Sequence, residues 1–546
     1  MSERLQTRTI LVAGILLCTA LGLVSIHVPF GRDQGVSAYV AEVMARGGAP
    51  YLDVYHFNLP GIFFAYLAAR HIPLPWTESV NLFHLVTVIV TYLIVYVTAK
   101  QVMTGKGAAV ASFFYGAFAI VMYTGYWNIA QKEGLACLPL SACLLAALKA
   151  IPAGKDENQE GPQKPAGVGK ALLTVALAGL FAGFAAQFKP TLGIVLLACF
   201  FPAFSGRGLF RPSVKILSAA CGGFLASFLP LIIYLVATDS LNAMVDSVFR
   251  FGGFYGGQSY QGMSHVIKKS AGNITAWIYE WRFLATLAIV AFIANRRDRN
   301  RRQTLVYIFG ALLLFQLVLQ MKYFTYHWIP LLIPAALLAS QGASYLVGQS
   351  DNYKPARKYI AGVVLVLVAL FLGNLVPEAK RYKREVLYDL GMISERDFLS
   401  PYGRWGGGDM CPLASKVVGS YIKENTSPEV PVLVFGLEPG LYITAGRFAP
   451  TRFAYDQPLV TGPGDSESFR SYRAKLREEF LADLSDNPPV YIIVIENDET
   501  SIEPRDSYNQ MKEFAAFHEI INRDYYLETK IEDYFIFRRL GPGGSR

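Results

Sequence analysis

Long apolar runs alternate with short polar loops through the first two thirds of this 546-residue chain. A helix needs about 20 apolar residues to cross a membrane, and eleven of the runs approach that length. We predict membrane-spanning helices at residues 9–27, 80–99, 108–123, 134–150, 171–188, 191–204, 214–237, 277–294, 305–320, 328–347 and 360–376. The first run lacks a small-x-small cleavage site, so we predict that it remains as a span.

The charges of the loops assign one orientation to these spans. Lys and Arg gather near residues 100–106, 155–170, 207–215, 296–302 and 354–358, which fall on one side when the chain is folded back and forth. Short cytoplasmic loops carry an excess of Lys and Arg. We therefore predict a multi-pass protein of the cytoplasmic (inner) membrane with a cytoplasmic N-terminus. The first loop, residues 28–79, and everything after residue 377 are then extracytoplasmic.

The segment 377–546 follows another pattern. Short β-branched runs at 430–435, 490–495 and 534–537 predict strands, and helical spacing recurs at 473–484 and 507–518. The predicted fold class is therefore an α-helical polytopic membrane domain, residues 1–376, followed by a soluble α/β domain, residues 377–546. No glycine-rich phosphate loop follows the early strands. The acidic run 496–499 is interpreted as a solvated loop.

Composition agrees with a membrane protein and narrows its partners. Only 17% of the residues are charged and 53% are hydrophobic, whereas soluble domains carry about a quarter charged residues. The net charge of +9 lies in the loops, so membrane lipids are predicted as partners and nucleic acid is not. The six cysteines show neither disulfide nor zinc spacing. No cofactor is indicated, and a divalent metal stays possible although no ligand spacing supports it.

The first loop contains a predicted helix with one apolar face and a carboxylate near each end. Its apolar positions are Val36, Tyr39, Val40, Val43 and Met44. Gly47-Gly48 ends the helix, which is predicted to lie on the membrane surface. Asp33 at its start and Asp53 beyond its end are the two carboxylates. Asp33 has two compatible interpretations: an N-cap for the first turn, or a general base at the lipid–water boundary.

Further polar side chains are predicted at the outer ends of spans: Glu133, Lys189, Arg250, Lys322, Tyr326 and His327. Charged groups near a bilayer are costly unless they are solvated or paired, so their clustering favours a site. Lys189 is either a lysine that extends to the interface at a hairpin tip or a cation for a lipid-borne phosphate. The loop 320–327 is either an aromatic belt or a phosphate-binding loop. Arg250 belongs to a loop that is either merely flexible or suited to sugar rings. Glu133, like Asp53, is a candidate second acid.

Taken in order, these motifs resemble the GT-C membrane glycosyltransferases, especially the branch with protein O-mannosyltransferases and the aminoarabinose transferase of lipid A. The matching positions are Asp33, Tyr39, 47–53, 58–61, 131–133, 189–190, Gln320, Lys322, Tyr326, His327, 434–436, Leu441-Tyr442 and Gly446-Arg447. The resemblance covers nearly the whole chain. It implies a polyprenyl-phosphate sugar as the donor and Asp33 as the base. Gln34 stands where relatives often have an acid, a departure that weighs against a metal-binding acidic pair, and Asn58 stands where Lys is common.

The residues and the resemblance together predict an inverting glycosyltransferase. Lys189, the loop 322–327 and Arg250 would hold the donor phosphate, and this cationic stabilisation would replace acid catalysis. Asp33 would deprotonate a hydroxyl or amine of a glycan, lipid or protein acceptor, which attacks opposite the phosphate. The alternative is a membrane transporter or a lipid-linked glycan flippase, which would place polar groups within the spans. A third hypothesis is a non-catalytic scaffold built around the C-terminal domain.

Overall fold

The computed structural model of the chain forms two compact units. It describes residues 2–121, 126–152, 168–204, 213–257, 262–296, 299–352, 366, 372–373, 379–403, 410–460, 465–500 and 504–541. The unit that we call the helical unit contains Met1–Ile26, Leu82–Tyr234 and Ser259–Lys383. The unit that we call the mixed unit contains His27–Asn81, Leu235–Gln258 and Arg384–Arg546. The tail predicted at 377–546 therefore shares its compact unit with the first loop.

The predicted polytopic helical architecture is confirmed. Among the described residues, seven segments are long and apolar enough to cross a membrane, or eight if one bent pair counts as a span. The seven are Glu3–His27, Trp76–Ala99, Lys132–Ala150, Gly169–Phe188, Val214–Ala237, Arg301–Gln320 and Thr325–Gly348. Seven of the predicted spans lie within these bounds.

Three predicted spans differ in the structure. The span 277–294 is bent rather than straight, because the helices Met263–Glu280 and Arg282–Ala294 meet there at an angle of 100°. The span 108–123 is a helix Gly105–Gly116 that continues as a π-helical turn, Ala117–Val121. The span 191–204 is divided into three short helical turns, Pro190–Val195, Leu196–Cys199 and Phe201–Phe204. Pro202 in the last turn has no N–H to donate to an i→i−4 hydrogen bond. Nearly all of the span 360–376 lies outside the described residues.

Small residues bring helices of the helical unit into close contact. A Cβ atom added to Gly179 would lie 2.0 Å from the carbonyl oxygen of Ala220, and one added to Gly223 would lie 1.9 Å from that of Ala176. These glycines belong to the helices Val168–Phe188 and Val214–Ser227. Membrane helices associate through such small-residue contacts, because burying apolar surface gains little when lipid is the alternative.

Described residues at the ends of three basic loops meet in the helical unit. Arg302 donates hydrogen bonds to the carbonyl oxygen of Ile151 at 2.8 and 3.2 Å, and to that of Gln101 at 3.3 Å. These carbonyls follow the helices Trp76–Ala99 and Lys132–Ala150, and Arg302 begins Arg301–Gln320. All three positions fall in loops that the charge pattern assigns to the same side.

The mixed unit is built around a four-stranded sheet. Its strands are β1 (Val432–Phe435), β2 (Tyr491–Ile495), β3 (Tyr525–Ile531) and β4 (Tyr534–Arg539), in the order β1-β2-β4-β3. β1 and β2 are parallel, and the other two pairs are antiparallel. The principal helices of this unit are Arg32–Ala45, Gly61–Arg70, Pro412–Asn425, Gly440–Ala445, Glu467–Asp486, Ser507–Glu513 and Ala515–Asp524.

The predicted α/β character of the tail is confirmed, with local differences. The runs at 430–435, 490–495 and 534–537 form β1, β2 and β4, whereas β3 is an additional strand whose Glu528 and Lys530 obscure it in the sequence. The predicted helix 507–518 is interrupted at Phe514. The core between the sheet and Glu467–Asp486 also contains Tyr55 and Phe251. This explains why the segments that contain these two residues, His27–Asn81 and Leu235–Gln258, belong to the mixed unit.

The helix predicted in the first loop spans Arg32–Ala45, and we call it the first-loop helix. Its apolar side packs against protein and is not open to lipid, and the position of the helix on the membrane surface stays a prediction. The Tyr39 ring is 2% exposed and stacks on Tyr442 of the Gly440–Ala445 helix with centroids 4.6 Å apart. Val36 and Val40 are likewise buried. The apolar spacing was therefore a signal for packing on the soluble domain.

Candidate active site

Asp33 is the second residue of the first-loop helix, and its side chain is exposed. The N-cap is Gly31, which has no side chain to accept a hydrogen bond, so the interpretation of Asp33 as the N-cap is wrong. Its carboxylate lies in the first turn, where the partial positive charge of the helix terminus favours an anion. The buried phenol of Tyr66 lies close enough to sense that charge: burial chiefly, and Asp33 in addition, raise the pKa of Tyr66 well above its usual range.

The helix that carries Asp33 is held at several points of the mixed unit. The backbone N–H of Ala449 donates a hydrogen bond to the Tyr39 hydroxyl at 2.9 Å. Gly35 lies so close to Gly440 that an added Cβ would be 2.8 Å from its nitrogen and 2.9 Å from its Cα. These contacts fix the start of the helix, and a carboxylate on a fixed helix keeps a defined position.

Asp53 is one of the two candidates for a second acid, and its side chain closes a turn. Its Oδ2 accepts a hydrogen bond from the Ala49 N–H at 2.6 Å, and its own N–H donates to the Ala49 carbonyl at 3.0 Å. Between them, Tyr51 has a φ of 71°, in the left-handed region. The Asp53 side chain is otherwise exposed, and the hydrogen bond to Ala49 stabilises a backbone conformation that is unfavourable for tyrosine.

Glu133, Lys189 and His327 come together in the helical unit. Glu133 lies in the first turn of Lys132–Ala150, and its Oε1 is 2.6 Å from Lys189 Nζ and 3.5 Å from His327 Nε2. All three side chains are buried, and Glu133 Oε2 has no hydrogen-bond partner among the described residues. The sequence placed these residues at the same level of the membrane but did not indicate that Glu133 and Lys189 form an ion pair.

The loop after Gln320 supplies the histidine and its neighbours. His327 Nδ1 donates a hydrogen bond to the Lys322 carbonyl, so the neutral imidazole has no proton on Nε2, the nitrogen facing Glu133. The Tyr326 ring meets the His327 ring edge-on, with centroids 4.8 Å apart. The ammonium groups of Lys132, Lys189 and Lys322 all lie near enough to act electrostatically on His327. The positive charges of these three lysines favour an anion near His327.

Arg250 belongs to the mixed unit and has its own partners there. It lies on the π-helical segment Val245–Phe251, where Nη1 is 3.4 Å from Asp246 Oδ1. Its guanidinium also lies over the Tyr472 ring, 4.7 Å from the centroid. The side chain is 56% exposed. The described contacts therefore place Arg250 at an exposed position where a stacked guanidinium could still meet an anion.

The sequence did not predict a polar cluster that the structure forms around Glu438 and Asp498. Asp498 accepts hydrogen bonds from the backbone N–H and hydroxyl of Ser507 at 2.7 and 2.6 Å and is 8% exposed. The interpretation of 496–499 as a solvated loop is therefore wrong for Asp498. Glu438 is 3% exposed and follows β1, between the matching positions 434–436 and Leu441-Tyr442, which do not include it. Only its position between apolar segments hinted at burial.

No family model and no curated protein matches this chain. The structure of ArnT from Cupriavidus metallidurans bound to undecaprenyl phosphate is similar to it, at 13% identity, with 98% of each chain covered and a TM-score of 0.58. This chain has the GT-C fold. The GT-C oligosaccharyltransferase of Archaeoglobus fulgidus, tethered with an acceptor peptide, is similar at 10% identity over 100% of this chain and 74% of that chain, with a TM-score of 0.51. At these identities the similarity establishes the fold alone.

Among the described residues, no group of three or more His, Cys, Asp or Glu side chains is arranged to hold a metal ion. The predicted site residues instead fall into two sets. Asp33, Asp53 and Arg250 belong to the mixed unit, and Glu133, Lys189, Lys322, Tyr326 and His327 belong to the helical unit.

Proposed function

We propose that this protein is an inverting glycosyltransferase that moves a sugar from a polyprenyl-phosphate donor to an acceptor at the outer face of the cytoplasmic membrane. The observation that carries the proposal is the GT-C fold, shared over 98% of both chains with a structure bound to undecaprenyl phosphate. The acceptor is a hydroxyl or amine of a glycan, lipid or protein. The seven or eight apolar segments found in the described part of the chain agree with a substrate that is itself a membrane lipid.

We assign the general base to Asp33. It is an exposed carboxylate on a helix held by packing, and Gly31, rather than Asp33, caps that helix. In the proposed reaction Asp33 accepts the proton of the acceptor group. The acceptor oxygen or nitrogen forms a bond to the anomeric carbon while the bond from that carbon to the phosphate oxygen breaks. Attack from the face opposite the phosphate inverts the configuration, and polyprenyl phosphate leaves with the bonding electrons.

We propose that the donor phosphate is bound by Lys189, Lys322, Tyr326 and His327, with Arg250 as an additional candidate. The cations near His327 support this assignment, because a positioned positive charge stabilises the phosphate as it leaves. Glu133 holds the Lys189 ammonium, which defines where that charge lies. Glu133 and Asp53 stay as the alternative acids against which Asp33 is tested.

The test compares three carboxylates in the purified, full-length protein reconstituted in nanodiscs. The substrates are labelled sugars on undecaprenyl phosphate, and the readout is release of undecaprenyl phosphate in the presence of candidate acceptors. We expect Asp33→Asn to lower turnover about a hundredfold to ten-thousandfold, the usual range for a lost general base. Its thermal unfolding midpoint should stay near that of the wild type, because the side chain is exposed and does not cap the helix.

The comparison variants are Glu133→Gln, for which we expect a partial loss, and Asp53→Asn, for which we expect the smallest. Near-wild-type turnover in Asp33→Asn would move the base to Glu133. In sealed vesicles, movement of the labelled lipid across the membrane without release of undecaprenyl phosphate would instead support the flippase hypothesis.

A further inference from the structure

The residue before Asp33 points into the soluble part of the mixed unit. Arg32 lines a narrow cavity together with Glu438, Asp498 and Tyr534. The cavity measures about 10 Å³, which is roughly the space of one water molecule. It is therefore too small for a substrate, but charged side chains surround it.

Glu438 is a buried carboxylate in this cavity. The Tyr534 hydroxyl donates a hydrogen bond to its Oε2, and Ser415 of the Pro412–Asn425 helix also faces the carboxyl group. Burial chiefly, with the charge of Asp498, raises the pKa of Glu438 to about 7, while Tyr534, Arg32 and Ser415 act in the opposite direction. Cys411, Glu496 and Asp533 complete the titratable lining.

Arg32 acts on both buried carboxylates. Burial raises the pKa of Asp498, and the positive charge of Arg32 opposes that shift, as it does for Glu438. Since the guanidinium stays protonated in proteins, it offsets two carboxylates that would otherwise repel each other across a small cavity. Arg32 lines the same cavity as Tyr534 of β4 and Asp498 in the loop that follows β2, and the attraction favours that position of its side chain.

The same side of the first-loop helix makes the other contacts to this region. Residues 32, 35 and 39 are spaced three and four apart, so they share one face of the helix. Arg32 lines the cavity together with Glu438, Gly35 lies against Gly440, and Tyr39 stacks on Tyr442. The segment 438–442 therefore contacts the first-loop helix along that face. Asp33 projects from a different direction and stays exposed.

We infer that Arg32, attracted by Glu438 and Asp498, is a positioning residue that fixes the first turn of the first-loop helix and thereby the place of Asp33. The inference rests on the proposed role of Asp33 as the base. It assigns the soluble domain a part in catalysis: its buried carboxylates hold the residue next to the base. Protonation of Glu438 removes one of the two negative charges facing Arg32, so the position of Asp33 becomes dependent on pH.

The first experiment follows the backbone, independently of any substrate. Hydrogen–deuterium exchange of residues 31–45 is measured in the full-length protein at pH 6 and pH 8.5 after correction for intrinsic exchange. In Glu438→Gln we expect exchange of the first turn at pH 8.5 to rise about tenfold, a loss of local stability equal to about 1.4 kcal/mol. The matched control is Glu385→Gln, since Glu385 is also buried and accepts a hydrogen bond from a tyrosine, Tyr402, at 3.1 Å. Glu385 does not line the cavity.

The second experiment follows turnover with the labelled undecaprenyl-phosphate sugars. We expect Arg32→Gln to lower kcat about tenfold to a hundredfold without changing the donor KM, because small displacements of a reacting group cost that much. Arg32→Lys keeps the charge and should recover most of the loss. The wild-type kcat should fall as the pH drops through about 7, following the pKa of Glu438. The fall in kcat near pH 7 should be absent in Glu438→Gln and present in Glu385→Gln.

Wild-type exchange, kcat and pH profile in both Glu438→Gln and Arg32→Gln would overturn the inference. Equal losses in Arg32→Lys and Arg32→Gln would also overturn it, since the charge would then be irrelevant. If the wild type releases no undecaprenyl phosphate from any of the donors, the proposed function fails, and the exchange experiment still decides whether Glu438 orders the helix.

Discussion

The buried Glu133–Lys189 ion pair sets limits on what each residue can do alone. Glu133 is fully buried and Lys189 is 9% exposed, with the nitrogen and oxygen 2.6 Å apart. Two charges taken out of water are tolerated when they compensate each other, and removing one partner leaves the other buried and unpaired at a typical cost of about 3–5 kcal/mol. A change to Lys189 will therefore affect stability as well as any binding of a phosphate.

We predict that Glu133→Gln and Lys189→Met each lower the thermal unfolding midpoint strongly. Because both changes remove the same interaction, the double variant should lose much less than the sum of the two single losses. The control is Glu395→Gln, which breaks the exposed pair with Lys416 and should cost under about 1 kcal/mol. Additive losses in the double variant would mean that the pair does not stabilise the helical unit.

Residue-level interpretation from the sequence was only partly successful. The position of Asp33 at a helix start was correct, yet the N-cap is two residues earlier, at Gly31. Cap preferences describe residue types, and Gly and Asp are both favoured at the N-cap. The backbone of the preceding segment decides which of them occupies the position, and that backbone is set by packing.

At the scale of elements, the contact between the first-loop helix and the Gly440–Ala445 helix depends on Gly35. The Cβ of an alanine at position 35 would meet the backbone of Gly440, at 2.8 Å from its nitrogen. A backbone atom cannot turn away as a flexible side chain can, so the two helices would have to separate. The contact that positions Asp33 therefore requires a residue without a side chain at position 35.

We predict that Gly35→Ala destabilises the protein by about 1–3 kcal/mol, the usual cost of overpacking. It should also lower turnover, because the first-loop helix is displaced from the soluble domain. The control is Gly272→Ala in the Met263–Glu280 helix, where nothing lies within 4 Å of the added Cβ, and where alanine should be tolerated. The measurement is the thermal unfolding midpoint of the two variants. Equal midpoints would show that the helices can adjust without cost.

Predicted elements were most accurate where an apolar run was uninterrupted. Trp76–Ala99 and Val214–Ala237 nearly coincide with their predictions. The run 277–294 did not reveal its bend, because its length and composition are those of a straight span although the chain bends by 100° at Trp281. Hydropathy reports how many apolar residues follow one another, and it does not register the direction of the helix axis.

At the scale of the whole molecule, the basic loops still define the predicted orientation. A reporter inserted after Arg299 should be cytoplasmic, and one inserted within 426–428 should be extracytoplasmic, because Lys and Arg are retained on the cytoplasmic side. The measurement pairs a reporter active only in the cytoplasm with one active only outside it. Both sites are exposed or close to exposed loop residues, so insertions there should be tolerated. Detection of both reporters on one side would refute the predicted orientation.

The sequence by itself determined the polytopic helical architecture, the α/β character of the tail and the residues worth testing. These properties depend on local signals: the length of apolar runs, their periodicity and the charge of the intervening loops. Tertiary structure decided the partners. Glu133 and Lys189 are 56 residues apart in the chain, and Arg32 acts on Glu438 and Asp498 from another part of the mixed unit. Periodicity states which face of a helix is buried, but the folding of distant segments decides which charge lies opposite it.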